Sequence, residues 1–460
     1  MQVSQLKVDQ EFLVTIKRIG INGEGIGYFK KQAVFIPGTL VGEEVVAKCT
    51  RIDKGYAEGE VVRIKRHSKS RCNPRCEVFG QCGGCQLQHM VYPEQLRVKR
   101  DMVRQAIDRY TSLDSEELDI RPTMGMDHPY NYRNKAQMPV GFDEDGTIVG
   151  FYAMNSRDLI PVEDCPIQYE DINYVMKHGA DLLDEYEVYA YNPKTKKGTA
   201  KHIVVRQGNQ TKEIQVVFVM SNENFRKMKP LALELMKYCP QVKSVYQNIQ
   251  PEDTHEVMGE KMIHIAGEKT ISDKLGRLKF NLSPKAFFQL NPEQTVKLYT
   301  QVKYAASLTG KEKVVDAYCG VGTIGQWLAQ DAGEVRGVDI TRAAIGDAKD
   351  NAKMNGLTNT YYAVGKAETV VPKWANEGFK PDVVVVDPPR TGMKPELVEM
   401  LKRVQPKIIV YVSCNPSTLA KNLKELAKKY DVDYIQPLDL FPQTSHVEAV
   451  VRLVRKSRSK

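Results

Sequence analysis

The chain reads as a multidomain protein: a small N-terminal β-barrel, an α+β middle domain and a C-terminal doubly wound α/β domain. Three observations predict this. The first 65 residues alternate short apolar runs with turn chemistry. From about 120 to 280, strand-like segments dominate and few helical ones interrupt them. After 290, short apolar strands are spaced by helical stretches, the alternation that builds a largely parallel sheet. At 460 residues the chain is also too long for one ordinary core.

Within 1–65, FLVTIKRI, AVFIPGTL, EEVVAKC and AEGEVVRIK are punctuated by NGEGIG and PGTLVGE. This predicts a closed barrel of the oligonucleotide-binding kind, the alternative being a β module without a ligand. VVRIKRHSKSR, 61–71, then carries Arg63, Lys65, Arg66, Lys69 and Arg71 and no acid, as a solvated linker or as phosphate contacts. Residues 66–92 and 120–280 form the middle unit, with strands such as KAQMPVGF, KHIVVRQG, KEIQVVFVM, VKSVYQNI and GRLKFNL and helices around 168–185 and 222–238. Between them, 93–119 holds an amphipathic helix begun by Pro93 and expected to pack on the last domain, 281–460.

Charged residues at 27% and hydrophobic ones at 42% give the balance of a soluble globular protein. No apolar segment is long enough to span a bilayer, and MQVSQLKVDQEF lacks a secretory core, so the expected location is the cytoplasm. Nine cysteines without an export signal point to reduced thiols rather than disulfides. The formal charge of +9 suits a polyanionic partner, and plain solubility equally.

Five segments carry chemistry. In YVSCNPSTL, Cys414 ends an apolar run, either as a small hydrophobe or as a thiol facing a cleft. Doubly wound sheets bind ligands beyond the carboxyl ends of their strands, and a helix starting at Asn415-Pro416 would favour the thiolate. In DAYCGVGTIG, Gly320 and Gly322 permit a tight turn before a helix near Thr323, and Asp339, ending VRGVDI, suits a ribose diol. Together they fit a nucleoside cofactor, S-adenosylmethionine or NAD. VVVVDPPRTG sets Asp387 at the ligand edge, as a site group or a helix N-cap. QTSHVEAVVRL places Glu448 in an apolar strand, on a wet face or as an acid–base group. CEVFGQCGGC, 76–85, with Cys165 downstream, offers thiols for zinc or an iron–sulfur cluster.

Together these blocks resemble the S-adenosylmethionine-dependent RNA uracil-5-methyltransferases of the RumA type. The resemblance covers essentially the whole chain: 1–65 looks like the TRAM domain, 76–165 carries the iron–sulfur cysteines, and the methyltransferase domain carries SPKAFFQLN (283–291), DAYCGVGTIG, DPPRTG, SCNP and SHVEAVV. It implies an enzyme that methylates carbon 5 of uridine in RNA, with Cys414 attacking carbon 6 and Glu448 removing the carbon-5 proton. By the same resemblance Gln289, Tyr318, Gly320, Thr323, Asp339 and Asp387 bind the cofactor or line the site. Phe287 would stack on a flipped base, core packing being its alternative. Arg133 and Lys135 of YRNKAQ would face RNA, Lys135 being otherwise a solvated strand residue. Thr323 and Lys366 depart from residues common in the family, and Asp339 stands where many members carry Glu.

The resemblance further implies a [4Fe–4S] cluster on Cys76, Cys82, Cys85 and Cys165, with a structural or RNA-positioning role; zinc on Cys72, Cys76, Cys82 and Cys85 is the alternative. Barrel and cluster resemble the 23S ribosomal RNA branch. Transfer RNA is the alternative substrate, and an RNA-binding assembly factor with a vestigial site is the alternative of another class. Nothing in the chain calls for a membrane or an obligate protein partner.

Overall fold

The structure, a computed structural model, describes residues 6–144, 146–154, 156–223 and 225–457. Strands β1 (Glu11–Ile19), β2 (Gly25–Phe29), β3 (Gln32–Ile36), β4 (Glu44–Asp53) and β5 (Tyr56–Arg66) close into a barrel in the order β1-β2-β3-β5-β4. Period-2 alternation fills it: Phe12, Val14 and Ile16 point inward while Glu11 and Leu13 face solvent. The basic run that follows is partly spent on structure. Arg71 forks onto the buried Glu43 carboxylate at 2.7 and 2.8 Å, so it is not free for phosphate.

Helix α1 (Tyr92–Tyr110) has proline in its first turn and buries Val103, Ala106 and Ile107 in the C-terminal core. Its Lys99 donates to Asp439 Oδ1 at 2.5 Å, and both side chains are fully buried. Burial works against both charges, and each offsets the other's.

The middle domain holds β6 (Lys135–Asp143), β7 (Gly146–Tyr152), β8 (Leu159–Pro161), α2 (Glu170–Glu185), β9 (Ala200–Gln207), β10 (Ile214–Met220), α3 (Met228–Tyr238), β11 (Val242–Ile249) and β12 (Lys261–Gly267). Its sheet runs β12-β11-β10-β9-β6-β7-β8, antiparallel except between β10 and β11. Helices α2 and α3 cover one face, setting Ile172, Leu183 and Leu231 against Ile203, Val216 and Phe218. Next comes a hairpin, β13 (Ile271–Leu275) and β14 (Leu278–Leu282), that joins neither large sheet. Its apolar face packs in the C-terminal core with Leu298 and Tyr299, so the expected boundary at 280 falls inside this hairpin.

The last domain continues with α4 (Pro292–Ala306), β15 (Lys313–Ala317), α5 (Thr323–Ala329), β16 (Glu334–Asp339), α6 (Arg342–Met354), β17 (Thr360–Val364), α7 (Ala367–Asn376), β18 (Val383–Val386), α8 (Pro395–Val404), β19 (Ile408–Ser413), α9 (Pro416–Leu426), β20 (Tyr430–Leu438) and β21 (Glu448–Arg455). The sheet order is β17-β16-β15-β18-β19-β21-β20, and β21 runs antiparallel between β19 and β20. The four valines of β18 are all buried, as a central parallel strand covered on both faces requires. Among the described residues no helix is long and apolar enough to cross a membrane.

Candidate active site

The carboxyl ends of β15, β18 and β19 and the start of β21 share one edge of this sheet. After β15 the chain turns through Tyr318, Gly320 and Gly322, with φ of +66°, +52° and +80°. Gly322 needs both its left-handed backbone and its missing Cβ, which would meet Gln326 and Tyr362 at 2.9 Å. Gly320 instead borders open space. Asp339 is pinned over this turn, accepting the N–H of Gly320 at 3.1 Å and of Thr341 at 2.8 Å.

Beneath it the buried Asp316 accepts the N–H of Gly325 at 2.8 Å, while its Oδ1 has no protein partner. Burial, then the charges of Asp387 and Asp339, lifts Asp316 to about 7. Three carboxyl groups, Asp316, Asp339 and Asp387, thus gather around the glycine turn, a setting suited to a cation. Thr323 lies 2.8 Å from the hydroxyl of buried Tyr299, which also bonds the Gln289 side chain, so one polar chain links SPKAFFQLN to the glycine turn. Lys366 caps α7 and is exposed.

The β19–β21 ladder ends at the pair Ser413–Ala449, and one further step along each strand brings Cys414 opposite Glu448. Cys414 is half-buried and Glu448 is 8% exposed, so the wet-face reading of Glu448 does not hold. Burial, then the charge of Asp387, lifts Glu448 to about 8, with Arg390 pulling the other way. Burial, then Glu448 and Asp387, pushes the Cys414 thiol up to about 12. The expectation of a thiolate favoured by the helix start is thus corrected: desolvation and two carboxylates outweigh the half-charge of a helix end. Asn415 caps α9, its side chain accepting the Ser417 N–H at 3.0 Å. Asp387 is no cap, since Lys394 occupies that position for α8, and burial raises its carboxyl to about 7.

Phe287 is 69% exposed while its neighbour Phe288 is buried, so core packing belongs to Phe288. The middle domain holds this loop on both sides of Phe287. Asn134 donates its side-chain amide to the Gln289 carbonyl at 3.1 Å and its backbone N–H to that of Leu290 at 3.0 Å. Arg206, buried and without a carboxylate partner among the described residues, donates to the carbonyls of Ser283 at 3.3 Å and Ala286 at 2.6 Å. Lys135 is its ladder partner in β6 and is half-buried rather than freely solvated. Burial, then Arg206 and Arg133, lowers Lys135 to about 7. Arg390, whose charge acts on both Cys414 and Glu448, lies 3.1 Å from His446 Nε2.

Sequence reasoning missed Asn134, Arg206, Arg390 and Asp316. Asn134, Arg390 and Asp316 stand inside the blocks YRNKAQ, DPPRTG and DAYCGVGTIG, and Arg206 interrupts the apolar run of KHIVVRQG.

A second feature lies behind the loop that leads to Glu448. Cys76, Cys82, Cys85 and Cys165 line one cavity of about 230 Å³, walled by Val78, Phe79, Phe151, Val162 and Ile167. Cys72 stays outside it, donating to the Gln88 carbonyl at 3.4 Å. Burial raises the thiols of Cys85 and Cys165 to about 12 and 11. Among the described residues no group of three His, Cys, Asp or Glu side chains is placed to hold a metal ion. The segment after Cys85 braces the loop ahead of Glu448, the N–H groups of Gln86 and Leu87 donating to the Gln443 carbonyl at 3.1 and 2.9 Å.

Comparison with known proteins agrees with this geometry. Residues 261–456 match the tRNA (Uracil-5-)-methyltransferase family, and residues 5–62 match the TRAM domain. A Bacillus cereus protein named as an RNA methyltransferase is 52% identical over 453 residues, 98% of each chain. A Listeria monocytogenes protein named likewise is 47% identical over 459 residues, 100% of each chain. Among solved structures, the tRNA (uracil-54, C5)-methyltransferase of Pyrococcus abyssi in complex with S-adenosyl-L-homocysteine superposes with a TM-score of 0.76. It is 26% identical, over 96% of this chain and 100% of that one.

Proposed function

This chain belongs to the RNA uracil-5-methyltransferase family, and on that premise we propose that it methylates carbon 5 of a uridine in 23S ribosomal RNA through a covalent adduct on Cys414. The observation that carries this reading is the juxtaposition of Cys414 and Glu448 at the ligand edge. The residues around the glycine turn fit S-adenosylmethionine: Gly320 leaves space, Asp339 is set for a ribose, and the carboxyl groups of Asp316 and Asp387 suit a sulfonium. When bound, that group supplies an electrophilic methyl.

The chain's own residues do the rest. Cys414 gives its proton to solvent water and its sulfur bonds to carbon 6 of uracil; the electrons of the carbon 5–carbon 6 double bond pass into an enolate, which makes carbon 5 nucleophilic. Phe287, projecting from its clamped loop, stacks on the extruded base. Once carbon 5 carries the methyl, ionised Glu448 takes the carbon-5 proton, and the electron pair left behind expels Cys414 from carbon 6. Arg390 supplies the positive charge nearest the reacting pair.

The cysteine cavity supports a [4Fe–4S] cluster on Cys76, Cys82, Cys85 and Cys165. All four cysteines line one largely apolar cavity. The zinc alternative required Cys72, which lies outside the cavity. Cys85→Ser is expected to lose iron and visible absorbance while Cys72→Ser keeps both; loss from Cys72→Ser instead would reverse the assignment.

Transfer RNA is the second reading, favoured by the Pyrococcus enzyme, whose name gives tRNA uracil 54 and which shares this architecture over its full length. The test incubates the enzyme and S-adenosylmethionine with 23S fragments and tRNA transcripts containing 5-fluorouridine, whose fluorine Glu448 cannot remove. A denaturing gel should show an adduct on a 23S fragment that Cys414→Ala abolishes. An adduct on tRNA alone would overturn the substrate. Methyl transfer to unmodified RNA without any adduct on the fluorinated one would overturn the covalent step.

A further inference from the structure

A second cavity, of about 700 Å³, opens between the middle domain and the start of α4. The backbone behind its lining is tied together by hydrogen bonds. Asp273, 1% exposed, accepts the backbone N–H of Gln210 at 3.0 Å and of Lys274 at 2.8 Å. Thr211 Oγ1 donates to the Ser272 carbonyl at 2.6 Å. These bonds lock the turn after β9 onto strand β13, presenting Asn209 and Gln210 from the turn and Lys274 from the strand.

The wall beside them is aromatic. Tyr169 donates its hydroxyl to Asn209 Oδ1 at 2.9 Å and carries the Lys212 ammonium 5.5 Å from its ring centre. His128 and Tyr130 continue the wall. The charge is one-sided. Lys212 and Lys274 are exposed and make no ion pair among the described residues. The one carboxylate lining the groove, Glu293, stands 3.8 Å from Lys297.

Aromatic faces, amides and unneutralised ammonium groups in one open groove form the chemistry that holds single-stranded RNA: bases stack and phosphates meet cations. The groove also adjoins the reaction site. Asn291, which lines it, follows Phe287 by four residues, at most about 14 Å of extended chain. We propose that this groove binds nucleotides flanking the target uridine, as an RNA contact separate from the reaction site. The proposal rests on RNA being the substrate.

The test measures binding of a fluorescent oligouridine of about 12 nucleotides, a length within the range of single-strand sites, by anisotropy across salt concentrations. Lys212→Glu/Lys274→Glu should weaken binding at least tenfold and reduce the slope of log K against log salt by about 1.4, two phosphates at about 0.7 each. His128→Ala should weaken binding several-fold and leave the slope unchanged. S-adenosylhomocysteine affinity should not move, and an RNA that ends at the target loop should be methylated at the original rate.

No binding by the unaltered enzyme, or an unchanged slope in the double reversal, overturns the proposal. So does an equal loss in Lys229→Glu/Lys237→Glu on α3, which would assign the effect to overall charge. A slower methylation of the short RNA with oligouridine binding intact would count against the reaction site and not against the groove.

Discussion

Binding of S-adenosylmethionine is expected to speed alkylation of Cys414 about a hundredfold, and binding of S-adenosylhomocysteine is not. The free thiol stands at about 12 against an ordinary 9.0, held there by burial and by Glu448 and Asp387. At pH 8 only about one molecule in 10⁴ therefore carries the thiolate. On the proposed mechanism the sulfonium approaches carbon 5 while Cys414 reaches carbon 6. At about 6 Å and an effective dielectric of about 20, the attraction is about 3 kcal/mol. That lowers the thiol by about two pK units and multiplies the thiolate a hundredfold. S-adenosylhomocysteine fills the same cavity without the charge. The assay follows the Cys414 peptide by mass spectrometry after brief iodoacetamide treatment between pH 7 and 9, where the rate should rise tenfold per unit. Equal rates with the two compounds would refute the electrostatic account, and so would a rate independent of pH.

Three further outcomes are expected. Glu448→Gln should accumulate the RNA adduct on a denaturing gel and lower turnover by about 10²–10⁴. Because burial raises Glu448 to about 8, its base form is scarce below that pH; adduct breakdown should climb tenfold per unit up to pH 8 and level above it, a profile absent from the variant. Arg206→Gln leaves the Ser283 and Ala286 carbonyls without their donor, a loss of about 1–3 kcal/mol; kcat/KM should fall about ten- to a hundredfold with S-adenosylhomocysteine affinity unchanged by calorimetry, and Arg206→Lys should recover part. Lys99→Met strands the Asp439 carboxylate and should cost about 3–5 kcal/mol in urea unfolding, whereas Lys99→Met/Asp439→Leu should regain most of it.

What could be read from the chain was what is local. Alternation and turn residues identified the barrel and the parallel strands because both depend on neighbours within a few residues. The same alternation could name the strands of the 271–282 hairpin but not the core they join, which depends on contacts with Leu298 and Tyr299. The glycine turn, Cys414 and Glu448 stood out as separate blocks. Their meeting is set by the antiparallel return of β21, which spacing along the chain does not encode. Electrostatics failed for the same reason. The helix start at Asn415 is visible in sequence, but the burial that raises the Cys414 thiol comes from distant segments. Arg206 escaped notice because its partners are backbone carbonyls, which no side-chain pattern announces.

The loop ahead of Glu448 is held by early parts of the chain. Gln95 donates to Gln443 Oε1 across a separation of 348 residues, and Lys99 reaches Asp439 across 340. Contacts this distant in sequence close late, since so much chain must be gathered before they form. On the proposed mechanism the consequence is one of order: a chain that has not yet gathered these contacts can expose its thiol and its glycine turn, yet lacks the placed carboxylate that completes turnover.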